Sequence, residues 1–356
     1  MSTPYELAPM METVAAHLHP SLVCRDNIES ILSIARGVPS WQCAGVECRL
    51  GDPAPRADFG IHLRRQHGIP VDAQRPGDAA TATSITSGAW QRLRRFADAW
   101  SDRDTLVAQA IPAVSLEFDV HDCDGADGAA PSIFVSMRFG PRGAARVRAR
   151  SLDEHGAVVD AVLDALGVDG GAARETLDRS FRVLLPRVSF LQLGVWLARP
   201  VDTFRICAPG LPLRDIPAVV KALGWSGPAD AYASRWRDLL EFGDRGTLHL
   251  DAGRGIAPRL GIEVNFGERS ASWRRHDPDD TRVLDYLVEK DMCLPKKRDA
   301  VLSWVGAFRL GGPHDEGGAA LFLRTVSHVK LVFEPDQPPQ AKAYLAVGRV
   351  DRQTEH

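Results

Sequence analysis

Short runs of alternating apolar and polar residues recur along the chain, in pairs separated by Gly, Pro or Asp. A period of two is typical of strands that bury one face, and a turn-forming segment between two such runs indicates a hairpin. The runs predict five hairpins: 43–50 with 58–64, 114–120 with 132–139, 189–197 with 202–207, 247–251 with 259–266, and 326–333 with 341–347. The chain is therefore expected to contain ten antiparallel strands.

Between the hairpins, apolar residues recur with the period of an amphipathic helix. Two of these segments begin with a capping-box pattern, Asp26-x-x-Glu29 and Ser151-x-x-Glu154. Further helices are predicted over 89–100, 175–185, 218–223, 232–242, 281–291 and 298–305. Each carries a single apolar stripe, so each is expected to lie against another layer, with the helical tryptophans as core anchors.

The predicted elements favour an α+β fold with one closed sheet. Hairpins joined by helices can form a single antiparallel sheet, and ten strands can close into a barrel that has no exposed edge. The helices would then surround the barrel, and a barrel this wide is expected to keep a lumen for a ligand. No Ser/Gly-rich linker interrupts the chain. We therefore expect one barrel domain over 25–350, an N-terminal segment over 1–24 and a tail over 351–356.

Composition narrows the classes of function. The chain is 44% hydrophobic and 25% charged, with a net charge of −3, which is ordinary for a folded protein and indicates no nucleic-acid or membrane partner. It contains no run of 18 apolar residues and no N-terminal signal-peptide pattern. Six cysteines are scattered without a CxxC pair, which favours reduced thiols over a disulfide framework or a metal site. We expect a cytoplasmic protein without cofactor or bound metal.

Four segments carry a resemblance to a known family. They are 45–50 (GVECRL), 116–119 (LEFD), 258–262 (PRLGI), and 328–331 (HVKL) together with 341–345 (AKAYL). With the five helix-flanked hairpins, this pattern resembles the ABBA aromatic prenyltransferases of the dimethylallyltryptophan synthase type, over about residues 25 to 350. The resemblance implies metal-independent transfer of a prenyl group from an allylic diphosphate to an indole-like or peptide acceptor in specialised metabolism.

The resemblance also implies roles for individual residues. Glu47 would orient the aromatic acceptor and take its proton. Basic side chains would hold the diphosphate, and the matching positions are Arg205, Arg259, Lys330 and Lys342. Tyr344 would shield the allylic cation with its ring. Trp196 lies on a predicted strand at a parity that allows a lumen position, where it could stack on an aromatic ligand.

Other positions depart from the family pattern. Asp58, Ser132 and Phe134 stand where the resemblance implies basic or tyrosine side chains. Of the 43 basic residues only six are Lys, and Tyr occurs four times, so the residue types that perform this chemistry are scarce. The alternative is a barrel of the same fold without diphosphate chemistry. It would be a ligand-binding or partner protein, or an enzyme for a non-phosphorylated substrate, with Glu47, Asp58 and Glu263 lining an acidic lumen.

Overall fold

The computed structural model describes residues 6–38, 41–69, 84–120, 131–138, 152–197, 199, 201–265, 278–311 and 319–350. The strands among them belong to one sheet: β1 (Cys43–Arg49), β2 (Ala57–Arg64), β3 (Ala113–Phe118), β4 (Ser132–Arg138), β5 (Phe190–Val195), β6 (Phe204–Pro212), β7 (Arg245–Ala252), β8 (Ile256–Asn265), β9 (Gly306–Leu310), β10 (Ala320–Phe333) and β11 (Gln340–Arg349).

The sheet closes into a ten-stranded antiparallel barrel. Strands β1 to β8 are neighbours in chain order, β8 pairs with β10, and β10 pairs with β11. Strand β11 pairs with β1, which joins the last predicted hairpin to the first. In this register Lys342 lies opposite Arg49 and Tyr344 lies opposite Glu47. The predicted α+β barrel of five hairpins is confirmed.

Alternation along each strand separates two environments. On β1, Ala44, Val46 and Cys48 are buried in a core that they share with the surrounding helices. The intervening residues Glu47 and Arg49 line a cavity inside the barrel. Because side chains on a strand alternate between its two faces, the polar half of each run lines the barrel interior, which we call the lumen.

Helices among the described residues surround this barrel: α1 (Leu7–Ala15), α2 (Arg25–Arg36), α3 (Ser84–Ser101), α4 (Leu106–Ala110), α5 (Leu152–Leu166), α6 (Arg174–Leu184), α7 (Ile216–Ala222), α8 (Ala229–Asp238), α9 (Pro278–Glu289) and α10 (Pro295–Trp304). Trp100 and Trp304 are almost completely buried, as expected of helical core anchors. Within the described parts of the chain, no helix combines the length and apolar character that a bilayer crossing requires.

Helix starts differ from the sequence prediction. The capping box at Asp26 is wrong, because α2 begins at Arg25 after Cys24, and Cys24 makes no side-chain capping bond. Asp26 instead occupies the first turn, where a carboxylate interacts favourably with the helix dipole. Ser151 lies outside the described residues. Helix α10 begins at Pro295, before the predicted start at 298, because proline is well tolerated in a first helical turn.

One strand escaped prediction. The five-residue strand β9 pairs with the first part of β10, from Ala320 to Arg324, and β8 pairs with the second part, from His328 to Phe333. Strand β10 is therefore longer than the predicted run over 326–333. Strand β9 alternates only between partly buried and exposed residues, so it lacks the strong apolar alternation that predicts a strand.

Candidate active site

A cavity of about 610 Å³ occupies the lumen. The described residues that line it include six basic and six acidic side chains, so their formal charges cancel. The basic residues are Arg49, Arg199, Arg205, Arg259, Lys330 and Lys342, and the acidic residues are Glu47, Asp58, Glu117, Asp119, Asp251 and Glu263. The structure brings together all seven residues that the sequence analysis selected: Glu47, Trp196, Arg205, Arg259, Lys330, Lys342 and Tyr344.

Glu47 lies at the closing seam of the barrel. The Lys342 ammonium and the Tyr344 hydroxyl each donate a hydrogen bond to one of its carboxylate oxygens. Burial alone would raise the pKa of Glu47, but the charges of Lys342 and Lys330 outweigh it and hold that pKa well below its usual range. Glu47 is therefore an ionised acceptor of hydrogen bonds at neutral pH.

Three basic side chains form a row across neighbouring strands. Lys330 of β10 lies opposite Lys342 of β11, which lies opposite Arg49 of β1. Arg49 contacts the Asp58 carboxylate at 3.2 Å, and Lys330 lies 3.1 Å from Nδ1 of His249. Burial and then the charge of Arg205 lower the pKa of Lys330. The row is thus a concentrated positive site whose members already have polar partners.

On the opposite wall, Arg205 forms a two-pronged ion pair with Asp251, with contacts of 2.8 and 2.9 Å. Its guanidinium lies 4.6 Å from the centre of the Trp196 ring, and that of Arg199 lies 4.7 Å from it. Phe134 meets the same ring edge-on at 5.8 Å. Trp196 lines the lumen as its parity allowed, and two cations from the chain itself already lie over its ring.

Arg259 differs from the other basic residues of the lining. The described residues provide it with neither a hydrogen bond nor an ion pair, although its charge helps to lower the pKa of Asp251. It is therefore available to an anionic ligand without first giving up a carboxylate partner.

Comparison with solved structures identifies the architecture. No protein-family model matches the sequence, and no characterised protein matches it by sequence. The prenyltransferase PriB, in a binary complex with product diphosphate, shares 12% identity and a TM-score of 0.52, over 97% of this chain and 96% of that chain. A 6-dimethylallyl tryptophan synthase shares 14% identity and a TM-score of 0.51, over 96% of each chain. The chain has the ABBA prenyltransferase-barrel fold.

A further PriB structure, a ternary complex with L-tryptophan and dimethylallyl thiolodiphosphate, shares 13% identity and a TM-score of 0.51, over 97% of this chain and 96% of that chain. These similarities cover nearly the whole of each chain. At such low identity they show the fold, whereas the chemistry of this prenyltransferase barrel depends on its own lumen residues.

Glu263, which the sequence analysis named for an acidic lumen, belongs to a polar cluster with two histidines. On β7, β8 and β10, Glu263 lies between His249 and His328, with carboxylate-to-Nε2 distances of 2.5 and 3.3 Å. The two imidazoles outweigh burial and hold the pKa of Glu263 well below its usual range. His328 stacks on the Tyr344 ring at 4.0 Å, which joins the cluster to Glu47. No group of three or more His, Cys, Asp or Glu in the described chain is arranged to hold a metal ion.

Sequence reasoning did not select Glu117 as functional. It faces the lumen between Gly60 of β2 and Ser132 of β4, and among the described residues it has no hydrogen bond or ion pair. Burial first, and then repulsion from Glu47, raise its pKa to about 7. The sequence did contain a signal for this position. Glu117 lies two residues after Ser115, so both side chains are on the same face of β3, the face that lines the lumen.

Replacing Glu117 with glutamine is expected to change the pH dependence of stability. The pKa of Glu117 is raised on folding, so its protonation stabilises the native state below about pH 4.5, and this contribution is lost as pH rises through about 7. The native chain should therefore lose on the order of 3 kcal/mol of unfolding free energy between about pH 4.5 and pH 8 through Glu117. Glu117→Gln should not show this loss, so its stability relative to the native chain should rise by that amount over the same pH range. Urea unfolding followed by circular dichroism at both pH values measures this gain.

The control is Glu12→Gln, which makes the same chemical change at an exposed position of α1. It should leave the difference between the two pH values as it is in the native chain. If Glu117→Gln behaves like this control, Glu117 is not the buried titrating group.

Proposed function

We propose that the chain is an aromatic prenyltransferase. It would move a prenyl group from an allylic diphosphate to an indole-like or peptide acceptor inside the barrel, in specialised metabolism and without a metal. The observation that carries this proposal is the row of Lys330, Lys342 and Arg49, directly beside Tyr344 and Glu47 in the lumen. The row supplies cations for phosphate oxygens, the ring supplies a π face for a carbocation, and the carboxylate supplies a proton acceptor.

The reaction follows from these positions. The bond between C1 of the prenyl group and the diphosphate oxygen breaks. The departing diphosphate is bound by the basic side chains of Lys330, Lys342, Arg205 and Arg259. The aromatic acceptor attacks C1 and forms the new bond. Glu47, held ionised by Lys342 and Tyr344, accepts a hydrogen bond from the acceptor and then its proton. A carboxylate with so low a pKa is a weak base, but it suffices for the strongly acidic protonated ring that the attack produces.

The balanced charge of the lumen favours a second candidate. Four of its six basic residues contact carboxylates: Arg49 with Asp58, Arg199 with Asp119, Arg205 with Asp251, and Lys342 with Glu47. Asp58 faces the lumen beside the row, where it would repel an anion. A neutral or zwitterionic substrate would leave these ion pairs intact. The second candidate is therefore a barrel of this fold that acts on, or binds, a non-phosphorylated molecule.

Two measurements distinguish the candidates. The first incubates the protein with dimethylallyl or geranyl diphosphate, EDTA, and a panel of indoles and tryptophan-containing peptides, and detects prenylated products by mass spectrometry. The second titrates inorganic pyrophosphate calorimetrically. The proposal expects a product in EDTA and measurable pyrophosphate binding. The absence of both would leave the second candidate.

Pyrophosphate affinity should depend on Lys330. A hydrogen bond from a charged donor contributes about 1.5–3 kcal/mol, so Lys330→Gln is expected to weaken pyrophosphate binding at least about tenfold. Lys221→Gln, on the exposed face of α7, is the matched control and should bind as the native chain does. Equal affinity in both variants would place the pyrophosphate away from the row.

A further inference from the structure

Three lumen residues on neighbouring strands stand in a chain of contacts. Cys207 of β6 lies directly opposite His249 of β7, with Sγ 3.2 Å from Nδ1. Nε2 of the same imidazole lies 2.5 Å from the carboxylate of Glu263 on β8. All three side chains are buried, and all three line the 610 Å³ cavity. The order is thiol, imidazole, carboxylate.

The contacts define the tautomer of His249. An ionised carboxylate only accepts hydrogen bonds, so Nε2, which lies 2.5 Å from Glu263, is the ring nitrogen assigned the proton. Nδ1 then presents its lone pair to two donors, the Cys207 thiol at 3.2 Å and the Lys330 ammonium at 3.1 Å. A nucleophile within hydrogen-bond reach of a base, with the base oriented by a third group, is the arrangement that activates nucleophilic side chains in covalent catalysis.

Burial keeps the thiol and the imidazole neutral at rest. It raises the pKa of Cys207 well above its usual range, and it lowers the pKa of His249 to about 4, with the nearby charge of Lys330 lowering it further. The pair is therefore not a stored thiolate. The thiol has to pass its proton to Nδ1 as it attacks, in the way that a serine nucleophile does.

Lys330 supplies the nearest positive charge. Its Nζ lies 3.1 Å from Nδ1 of His249, the same atom that contacts the thiol. The Lys330 side chain passes directly above Gly261. A Cβ added to Gly261 would lie only 2.8 Å from Cε of Lys330 and 3.1 Å from Cβ of His249. The missing side chain at Gly261 therefore lets the ammonium lie close to the imidazole, where it can stabilise a negative oxygen.

We propose that Cys207, His249 and Glu263 form a nucleophilic triad that accepts the acyl group of an activated ester or thioester in the lumen. Sγ attacks the carbonyl carbon while the thiol proton moves to Nδ1 of His249. Once Nδ1 is protonated it can no longer accept from the Lys330 ammonium, which gives up that contact and binds the tetrahedral oxyanion. The bond to the leaving oxygen or sulfur then breaks, and the leaving group takes the proton from His249. The acyl group remains on Cys207 as a thioester and passes to water or to a second nucleophile.

The test uses p-nitrophenyl acetate, which contains no phosphate, so its outcome is independent of the proposed prenyl transfer. The native protein should release a burst of one p-nitrophenolate per chain. Mass spectrometry should then locate one acetyl group on Cys207 and not on the other cysteines. Cys207→Ser, which retains the size of the side chain, should lose the thioester. His249→Asn should slow the burst at least about 100-fold, the usual contribution of a positioned base.

Cys43→Ser is the matched control. Cys43 also lines the cavity, and burial raises its pKa to about 11, but none of the described residues pairs its thiol with an imidazole. This variant should retain the full burst. Glu263→Gln should slow the burst while leaving the acetylation site unchanged, because the amide can still orient His249 but cannot stabilise its imidazolium. Thermal unfolding of every variant shows whether a loss reflects unfolding.

The pH profile separates the triad from ordinary thiol reactivity. The titratable and charged groups around His249 lie on three strands. They are Glu263 on β8, Lys330 on β10, and Cys207 and Arg205 on β6, the strand that pairs with β7. Because neutral His249 is the base, the burst rate should stay level from about pH 8 to pH 6 and fall only as pH approaches about 4. A rate that instead rises tenfold per pH unit towards the ordinary thiol pKa, or an acetyl group on another residue, would overturn the proposal.

Discussion

Replacement of Glu47 with glutamine is expected to lower the rate of prenyl transfer at least about 100-fold, because the amide cannot accept the acceptor's proton. The same change removes the negative charge that binds Lys342 and Tyr344. Lys342 then becomes available to phosphate oxygens, so pyrophosphate affinity should rise. Initial rates at saturating substrates, with pyrophosphate titration of the same preparation, measure both effects. A lost rate with a strengthened anion site is a combination that simple misfolding does not produce.

Asp58→Asn is the matched control for this experiment. Asp58 lies directly opposite Glu47 on β2 and contacts Arg49, so the variant removes one carboxylate from the same wall of the lumen. It should strengthen pyrophosphate binding and leave the rate within a few-fold of the native value. If both variants lose the rate equally, the effect of Glu47 is electrostatic and Glu47 is not the proton acceptor.

Replacement of Trp304 with alanine is expected to lower the free energy of unfolding by about 3–5 kcal/mol. Its side chain is 1% exposed and its Nε1 donates to the carbonyl of Thr325 at 3.0 Å. Thr325 lies between the segments of β10 that pair with β9 and with β8, next to the register shift of β10 against β11. The indole thus fills the core and satisfies a carbonyl at the irregular point of the barrel wall.

Trp304→Phe separates the two contributions. It retains most of the buried ring but cannot donate to Thr325, so it should lose only about 1–3 kcal/mol, the cost of one buried unsatisfied polar group. Urea unfolding of both variants, followed by tryptophan fluorescence and circular dichroism, provides the comparison. Equal losses would mean that the hydrogen bond to Thr325 has little effect and that volume alone accounts for the stability.

The barrel itself was predictable because its signal is local. Alternation with a period of two is visible along each strand, and each hairpin is bounded by turn residues. The same alternation placed Glu47 and Trp196 on the face opposite to Val46 and Leu197, and both residues line the lumen. Strand β9 was missed because it is only five residues long, and its partly buried face carries just two large apolar side chains, Phe308 and Leu310.

The sequence analysis predicted only some of the charged residues that line the lumen. Sequence reasoning selected four basic residues on the expectation of an anion and listed three carboxylates for the alternative. The structure places both sets in one cavity and adds Glu117, Asp119 and Asp251. Whether Arg205 meets a ligand or Asp251 depends on the register between β6 and β7, which no local pattern reveals.

What the amino-acid sequence determined by itself was the order of hairpins and helices, the face of each strand that is polar, and therefore a closed barrel with a polar interior. The tertiary structure alone decided which polar groups meet there. It brought Lys330, Lys342 and Arg49 into one row, and Cys207, His249 and Glu263 into one chain of contacts. The physical reason is that alternation is a property of one strand, whereas cross-strand contacts depend on register and closure, which the whole core determines together.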